Sequence, residues 1–326
     1  MVREARLWRI GGRPGCVWSA SWTAVTVGCA HSHRFLCYLH KVSSAKDIPK
    51  GRGWSRVYRG WSRAGRGPGS SSCVQGYVAP MAVFALWSAP RARSTAFFRS
   101  MAERGDMTVL HEPFCNLRDY GETDAGARTF DSPLSLLAWL RDETQNMRVF
   151  LKDHPPAACV RDVLADRRFL AEARHAFLIR RPEEIAASSY ALDPGTNITA
   201  IGLERLCEVQ AAVRDAGGDA SAVIDSDDLV ARPGATMAAY CAAVGLPFIP
   251  RALTWQPGER PEWRRSARWH ADVSASSGFE RRERAYPHTV ENSSELARFA
   301  AHHRPFYERL YAQRLDVTPW MQAESS

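Results

Sequence analysis

AVFALWSAPRARSTAFFR, residues 82–99, is the stretch that decides the fold. An apolar run over 82–87 stops at Ser88-Ala89-Pro90. A basic, hydroxyl-bearing turn follows, Arg91-Ala92-Arg93-Ser94-Thr95, and a helical pattern begins at Ala96. A buried strand feeding a short loop and then a helix N-terminus makes an anion site. The first backbone N–H groups of the helix have no intrahelical acceptor, and the macrodipole adds partial positive charge there. With two arginines and two hydroxyls on the turn, the ligand it fits is a phosphate or sulfate group.

Outward from this segment the pattern alternates. Strands are predicted at 107–110, 147–151, 175–179 and 221–225. Helices are predicted at 133–144, with Pro133 near the first position behind Asp131 or Ser132 as cap, and at 158–174 and 183–190. Further helices are predicted at 201–216, closed by Gly217-Gly218, at 233–244, closed by Gly245, and at 295–314. Residues 118–131 read as a polar loop, and 255–286 are rich in Arg and Trp and weakly patterned. The alternation predicts an α/β fold: a three-layer, doubly wound, mostly parallel sheet with helices on both faces. Ligands of such sheets gather at the carboxyl ends of strands. Four predicted strand ends carry charged or reactive side chains: 88–95, His111-Glu112, Lys152 with His154, and Arg180-Arg181.

The charge of +8 is unevenly spread. Residues 1–80 hold 13 Lys and Arg against Glu4 and Asp47, whereas 81–326 hold 30 against 33 acids. The basic character therefore belongs to the leader, and the body shows no charge signature of a nucleic-acid binder. Four of the eight cysteines, Cys115, Cys159, Cys207 and Cys241, lie in the body, far apart and without a CxxC pair. They read as reduced core thiols of a cytoplasmic protein. No apolar run approaches the roughly 20 residues of a membrane span. Residues 51–72 are Gly-, Arg-, Trp- and Ser-rich, and 1–80 read as a disordered basic leader ahead of a domain at 81–326. Met81, just before the first strand, is a candidate biological start. The alternative is a basic tail that touches nucleic acid or an anionic membrane.

The turn after the first strand lacks the GxxxxGK[ST] of a Walker A loop. SAPRARST resembles instead the 5′-phosphosulfate loop of the sulfotransferase family, of the form PRSGST or PKSGTT. LIRRPEEIAASSY, 178–190, resembles that family's 3′-phosphate motif, in which a strand-end Arg is followed eight residues later by Ser, as Arg180 is by Ser188. Lys152-Asp153-His154-Pro155 is similar to the Lys-x-His of cytosolic sulfotransferases, and 225–248 to a stretch that follows the core in bacterial members. HEPF at 111–114 and WH-x-DV-x-x-S-x-GF at 269–279 resemble a bacterial subgroup. Arg93 departs from the pattern, standing where the family has Gly, and the C-terminal RKGxxGxWK signature is absent, with only Arg264, Arg265 and Arg268 in a comparable region.

The resemblance implies a P-loop NTPase-like sulfotransferase fold and the donor 3′-phosphoadenosine 5′-phosphosulfate. It implies in-line transfer of a sulfuryl group to a hydroxyl or amine of a small-molecule, glycan or lipid acceptor, with no metal. Arg91, Ala92, Arg93, Ser94 and Thr95 would hold the 5′-phosphosulfate, and Arg180 and Ser188 the 3′-phosphate. His154 or Glu112 would be the base and Lys152 would neutralise the moving group. The acceptor pocket would come from 116–131, 193–199 and 256–287. Plainer roles stand beside these: a turn residue for His154, a helix cap for Glu112, a back-bonded hydroxyl for Ser188, a buried, satisfied imidazole for His111, and packing for Trp255, Trp263 and Trp269. Two other functions compete. One is a nucleotide-dependent phosphotransferase using Asp225 and Asp227 for Mg²⁺. The other is an inactive nucleotide-binding homologue.

Overall fold

The computed structural model describes residues 83–144, 147–154, 157–280 and 284–324. The leader at 1–80 and the start at Met81 lie outside them. In chain order the elements are β1 (Val83–Ser88), α1 (Ser94–Glu103), β2 (Thr108–His111), α2 (Pro113–Tyr120), β3 (Thr123–Ala125), β4 (Arg128–Phe130), α3 (Pro133–Asp142) and β5 (Val149–Asp153). Then follow α4 (Ala157–Ala165), α5 (Arg167–Glu172), β6 (Arg174–Ile179), α6 (Pro182–Leu192), α7 (Leu203–Asp215), β7 (Ala222–Asp225), α8 (Ser226–Ala231), α9 (Pro233–Val244), α10 (Ala271–Ser274) and α11 (Ser294–Tyr311).

Five strands form one sheet in the order β2-β5-β1-β6-β7, with every pairing parallel. The strand interiors are nearly continuous apolar runs because both faces are covered, as parallel sheets require; all six residues of β1 are buried. On one face Phe97 of α1 stacks on Phe150 of β5 at 6.2 Å and meets Tyr240 of α9 edge-on at 4.8 Å. On the other, Trp87 of β1 donates its indole N–H to His175 of β6 at 3.0 Å, and Phe169 of α5 packs edge-on against that imidazole at 5.5 Å. This is the expected three-layer, doubly wound architecture. Among the described residues no helix is long and apolar enough to cross a membrane.

Several local readings change. The single helix expected over 158–174 is broken at Asp166, whose carboxylate accepts the Phe169 N–H at 3.0 Å and starts α5 afresh. The polar loop expected over 118–131 begins in a helix: α2 starts with Pro113 in its first turn and continues to Tyr120, closed by Gly121 at φ 77. The hairpin β3–β4 occupies the rest of that loop. β5 runs on through Lys152 and Asp153, with Asp153 opposite Trp87, so both charged residues end inside the sheet rather than in a loop. Much of the weakly patterned 255–286 is a kinked 3₁₀ segment, Pro261–Trp269, followed by α10.

β1 is the central strand, so the loop after it has neighbours on both sides. β6 delivers Arg180 on one flank, while β5 and β2 deliver Lys152, His154 and Glu112 on the other. Gly202, between a 3₁₀ turn and α7, packs under that loop: it has φ +77, and a Cβ there would lie 2.9 Å from Pro90 Cδ. Gly202→Ala is expected to cost about 1–2 kcal/mol from the left-handed backbone alone, read as a lower denaturant midpoint. The crowding against Pro90 adds to that loss.

Candidate active site

The loop from Ser88 to Thr95 is tightly turned. Ala89 N–H still bonds Leu178 O of β6 at 3.0 Å, and Ala92 N–H closes the turn on Ala89 O at 3.3 Å. The Ala92 N–H expected to face a ligand is therefore used within the loop. Arg91 and Arg93 take left-handed backbone, φ 58 and φ 64. Arg93 thus adopts the conformation that Gly would supply without strain, and its side chain is the anchor: its guanidinium donates to Ser226 O, Ser226 Oγ and Asp227 Oδ1 at 3.1, 3.0 and 3.0 Å. Alternating left-handed residues leading into a helix N-terminus make a concave nest of N–H donors.

Arg91 is held differently. Its Nε donates to Ser188 Oγ at 3.2 Å and its Nη1 to the Trp269 carbonyl at 3.0 Å. Burial lowers its pKa, and among the described residues no carboxylate lies within ion-pair distance of it. Ser188, buried in α6, accepts from Arg91 rather than bonding back to its own helix. Arg180 donates to the Arg91 carbonyl at 2.7 Å and to Glu184 Oε2 at 2.7 Å. The two expected phosphate motifs therefore meet at Arg91. Arg181 instead pairs with Glu184, and with Asp227 at 3.2 Å.

On the other flank Lys152, fully buried and the only lysine after residue 50, donates to Glu112 Oε1. The same oxygen lies 3.0 Å from His154 Nε2. His154 Nδ1 is 3.0 Å from both the hydroxyl and the carbonyl of Ser88. No single neutral tautomer satisfies all of these contacts: the Ser88 carbonyl calls for a proton on Nδ1, whereas Glu112 Oε1 calls for one on Nε2, where the Lys152 ammonium also lies 3.3 Å away. Burial, followed by Lys152, lowers the His154 pKa against the pull of Glu112. Burial raises the Glu112 carboxyl, but Lys152, His111 and His154 outweigh it and hold the group well below the usual carboxylate range. Glu112 Oε1 is thus fully engaged. Glu112 caps no helix with its side chain: it sits at φ 50, which turns it back over the end of β5.

The α2 cap is Asp153. Its Oδ2 accepts the Phe114 N–H at 2.6 Å and the Cys115 N–H at 3.4 Å, while buried Oδ1 has no partner. Burial, then Glu112, raises its pKa to about 7. His111 is buried as expected but not satisfied, since Nε2 finds no hydrogen bond, and burial drives its pKa well down. His111, Glu112 and His270 offer ligand atoms within 4.8 Å of one another. The Lys152 ammonium already occupies Glu112 and repels a second cation.

These groups surround a cavity of about 760 Å³ lined by Arg91, Arg93, Ser94, Thr95, Glu112, His154, Arg180 and Ser188 among others. Lys152 lies beneath it, behind Glu112, rather than on its wall. Trp255 and Trp263 are packing residues, both buried. Sequence reasoning missed Asp153, Ser88 and His270. His270 lies within the quoted WH motif but was given no role there.

Asp153 predicts a pH effect. A carboxyl whose pKa is raised to about 7 on folding takes up a proton in the folded state, so its contribution to stability is present below the ordinary Asp pKa and is lost as pH rises through 7. Asp153→Asn keeps an acceptor for the α2 N–H groups and removes the titration. The variant is expected to gain melting temperature relative to the parent between pH 5 and pH 8, measured by thermal denaturation at both.

The chain is 27% identical over 219 residues to the Arabidopsis thaliana branched-chain-amino-acid aminotransferase-like protein 2, covering 64% of this chain and 38% of that protein. It is 27% identical over 217 residues to the like-named protein 1, covering 62% and 37%. The chain thus spans under two fifths of the length of these relatives. Among solved structures, the sulfotransferase domain from the curacin biosynthetic pathway is 13% identical at TM-score 0.36, over 68% of this chain and 97% of that one. The sulfotransferase domain of the Synechococcus PCC 7002 olefin synthase is 14% identical at TM-score 0.38, over 70% and 97%. The family profile described as a sulfotransferase domain matches residues 81–314, most of the chain, and the chain belongs to that family.

Proposed function

We propose that the protein transfers a sulfuryl group from 3′-phosphoadenosine 5′-phosphosulfate to the hydroxyl or amine of an acceptor. The observation that carries this reading is Arg91: a half-buried guanidinium with no carboxylate partner among the described residues, beside a nest of first-turn N–H groups and bonded to Ser188. A partly desolvated cation of this kind is compensated by an anionic ligand. Ser94, Thr95 and the free N–H groups of the first turn would hold the 5′-phosphosulfate. Ser188 and Arg180 would hold the 3′-phosphate, and Arg93 would brace the loop from outside through Asp227.

The flanks of β1 divide the labour. The β6 side takes the nucleotide, and the β5–β2 side faces the acceptor across the transferring group, as in-line transfer needs. Lys152 and His154 both engage Glu112 Oε1, which leaves Oε2 of this cavity-lining residue to receive the acceptor proton. Of the two bases the sequence leaves open, Glu112 is therefore the one we assign, with His154 orienting it. Lys152 keeps it ionised from beneath. Cys115, Cys159, Cys207 and Cys241 are free buried thiols, which suits a cytoplasmic enzyme.

The phosphotransferase alternative loses support. Asp225 is spent on the Asp227 N–H at 2.8 Å and Tyr307 OH at 3.2 Å, and Asp227 on Arg93 and Arg181. The aminotransferase-like wording of the Arabidopsis names belongs to proteins that extend far beyond the match. After residue 50 the only lysine is Lys152, buried in its ion pair.

Calorimetry with 3′,5′-adenosine bisphosphate, ATP and 5′-AMP, without added metal, tests the donor site. The bisphosphate is expected to bind tightest, and Arg180→Ala to weaken it by about 10- to 100-fold, the loss of one hydrogen bond to a charged group. A preference for Mg-ATP would contradict the assignment.

A further inference from the structure

Two consecutive residues of the 3₁₀ segment and its exit hold both ends of the donor loop. The Trp269 carbonyl accepts Arg91 Nη1 at 3.0 Å, and His270 Nδ1 lies 3.0 Å from Thr95 Oγ1. The other imidazole nitrogen, Nε2, lies 3.1 Å from Ser266 Oγ. Ser266, His270 and Thr95 thus form one chain of hydrogen bonds that starts in the 3₁₀ segment and ends at the first turn of α1, where the donor's charge would lie. All three line the cavity.

The polarity of that chain decides what Thr95 can do. A neutral imidazole carries one proton. If it sits on Nε2, His270 donates to Ser266 and must accept the Thr95 O–H at Nδ1, which turns Thr95 lone pairs toward an anion. If it sits on Nδ1, Ser266 turns its O–H from the Trp263 carbonyl, 3.4 Å away, to Nε2, His270 donates to Thr95 Oγ1, and the Thr95 O–H is free to point into the nest. An anion selects the second arrangement, since only that one presents a donor. Burial keeps His270 neutral, its pKa pushed down to about 3, so the imidazole has one proton to place and the chain has one direction at a time. The edge-on contact of its ring with His111, at 4.9 Å, and its tilted contact with Trp263, at 6.0 Å, fix the ring plane.

We infer that His270 is a positioning residue which, backed by Ser266, orients the Thr95 hydroxyl as a donor to the 5′-phosphosulfate. No proton is transferred along the chain. Its effect is to hold a directed O–H at the oxygen where charge grows as the sulfuryl group departs, and a preorganised donor of this kind stabilises the transition state. The inference rests on the donor reading of the loop proposed above.

Nitrogen-15 NMR of the imidazoles in the full chain, with and without 3′,5′-adenosine bisphosphate, reads the tautomer directly. Calorimetry on the same samples reads binding. The expected result is bisphosphate binding together with a neutral, Nδ1-protonated His270 in the complex. Thr95→Val is expected to weaken binding by about 10- to 100-fold. His270→Ala is expected to weaken it in the parent but to add nothing to Thr95→Val, because both remove the same hydrogen bond. His270→Asn, which keeps a side-chain N–H near the Nδ1 position, is expected to recover most of the loss, which a merely structural role would not allow. Binding with an Nε2-protonated or doubly protonated His270, or additive losses in the double variant, would overturn the relay and leave the donor site standing. No binding of the bisphosphate by the parent would overturn both.

Discussion

A lysine ammonium buried at the carboxyl end of β5 must have its charge met, and Glu112 meets it. The consequences spread from that pair. Glu112 has to leave the line of β2 and turn back over β5, which it does at φ 50. That backbone is sparsely populated for a side chain of its size, so the surroundings have to enforce it. Glu112 N–H bonds Lys152 O at 2.7 Å, and Asp153 captures the first N–H groups of α2 just beyond. Three consecutive residues, Lys152-Asp153-His154, thus fix the charge, the backbone and the orientation of one carboxylate. Removing a single partner of such a buried pair leaves an uncompensated charge, typically at a cost of about 3–5 kcal/mol.

The donor loop solves a related problem without glycine. Arg91 and Arg93 both adopt left-handed backbone and both are tied down through their guanidinium groups, to Ser188 and Trp269 on one side and to Ser226 and Asp227 on the other. Glycine would reach the same conformation with less strain but with no side chain to hold the loop there. Arginine reaches it because its anchors over-determine the turn. Loop shape therefore depends on elements far along the chain, α6, α8 and the 3₁₀ segment ending at Trp269.

The parallel sheet and its strand-end loops were legible because they depend on local apolar runs and on chain order. The gathering of Arg91, Arg93, Ser94, Thr95, Glu112, His154 and Arg180 around one cavity followed from the same logic. Other parts were hidden for definite reasons. Asn116, Arg118 and Asp119 gave α2 the look of a loop, although Pro113 at its start and Gly121 at its end are ordinary helix signals. The break at Asp166 is a side-chain cap inside an unbroken helical period. His270 was obscured because a kinked 3₁₀ helix carries no 3.6-residue period and its partner, Thr95, lies 175 residues away. Asp153 looked like a loop residue because β5 carries its charged pair into the interior. Composition held one clue that periodicity did not: a body with 29 arginines and one lysine has a particular use for that lysine.

In the proposed reaction Glu112 is an ionised, immobilised proton acceptor facing a bound sulfuryl donor. Its most direct test is transfer of radiolabelled sulfuryl from 3′-phosphoadenosine 5′-phosphosulfate to a panel of sugar, phenol, alkyl alcohol and amine acceptors, comparing the parent chain with Glu112→Gln. The predicted result is transfer to at least one acceptor by the parent and a loss of about 100-fold or more in the variant, with bisphosphate binding retained. Undiminished transfer by Glu112→Gln, or a parent that binds the donor yet transfers to no acceptor class, would contradict it.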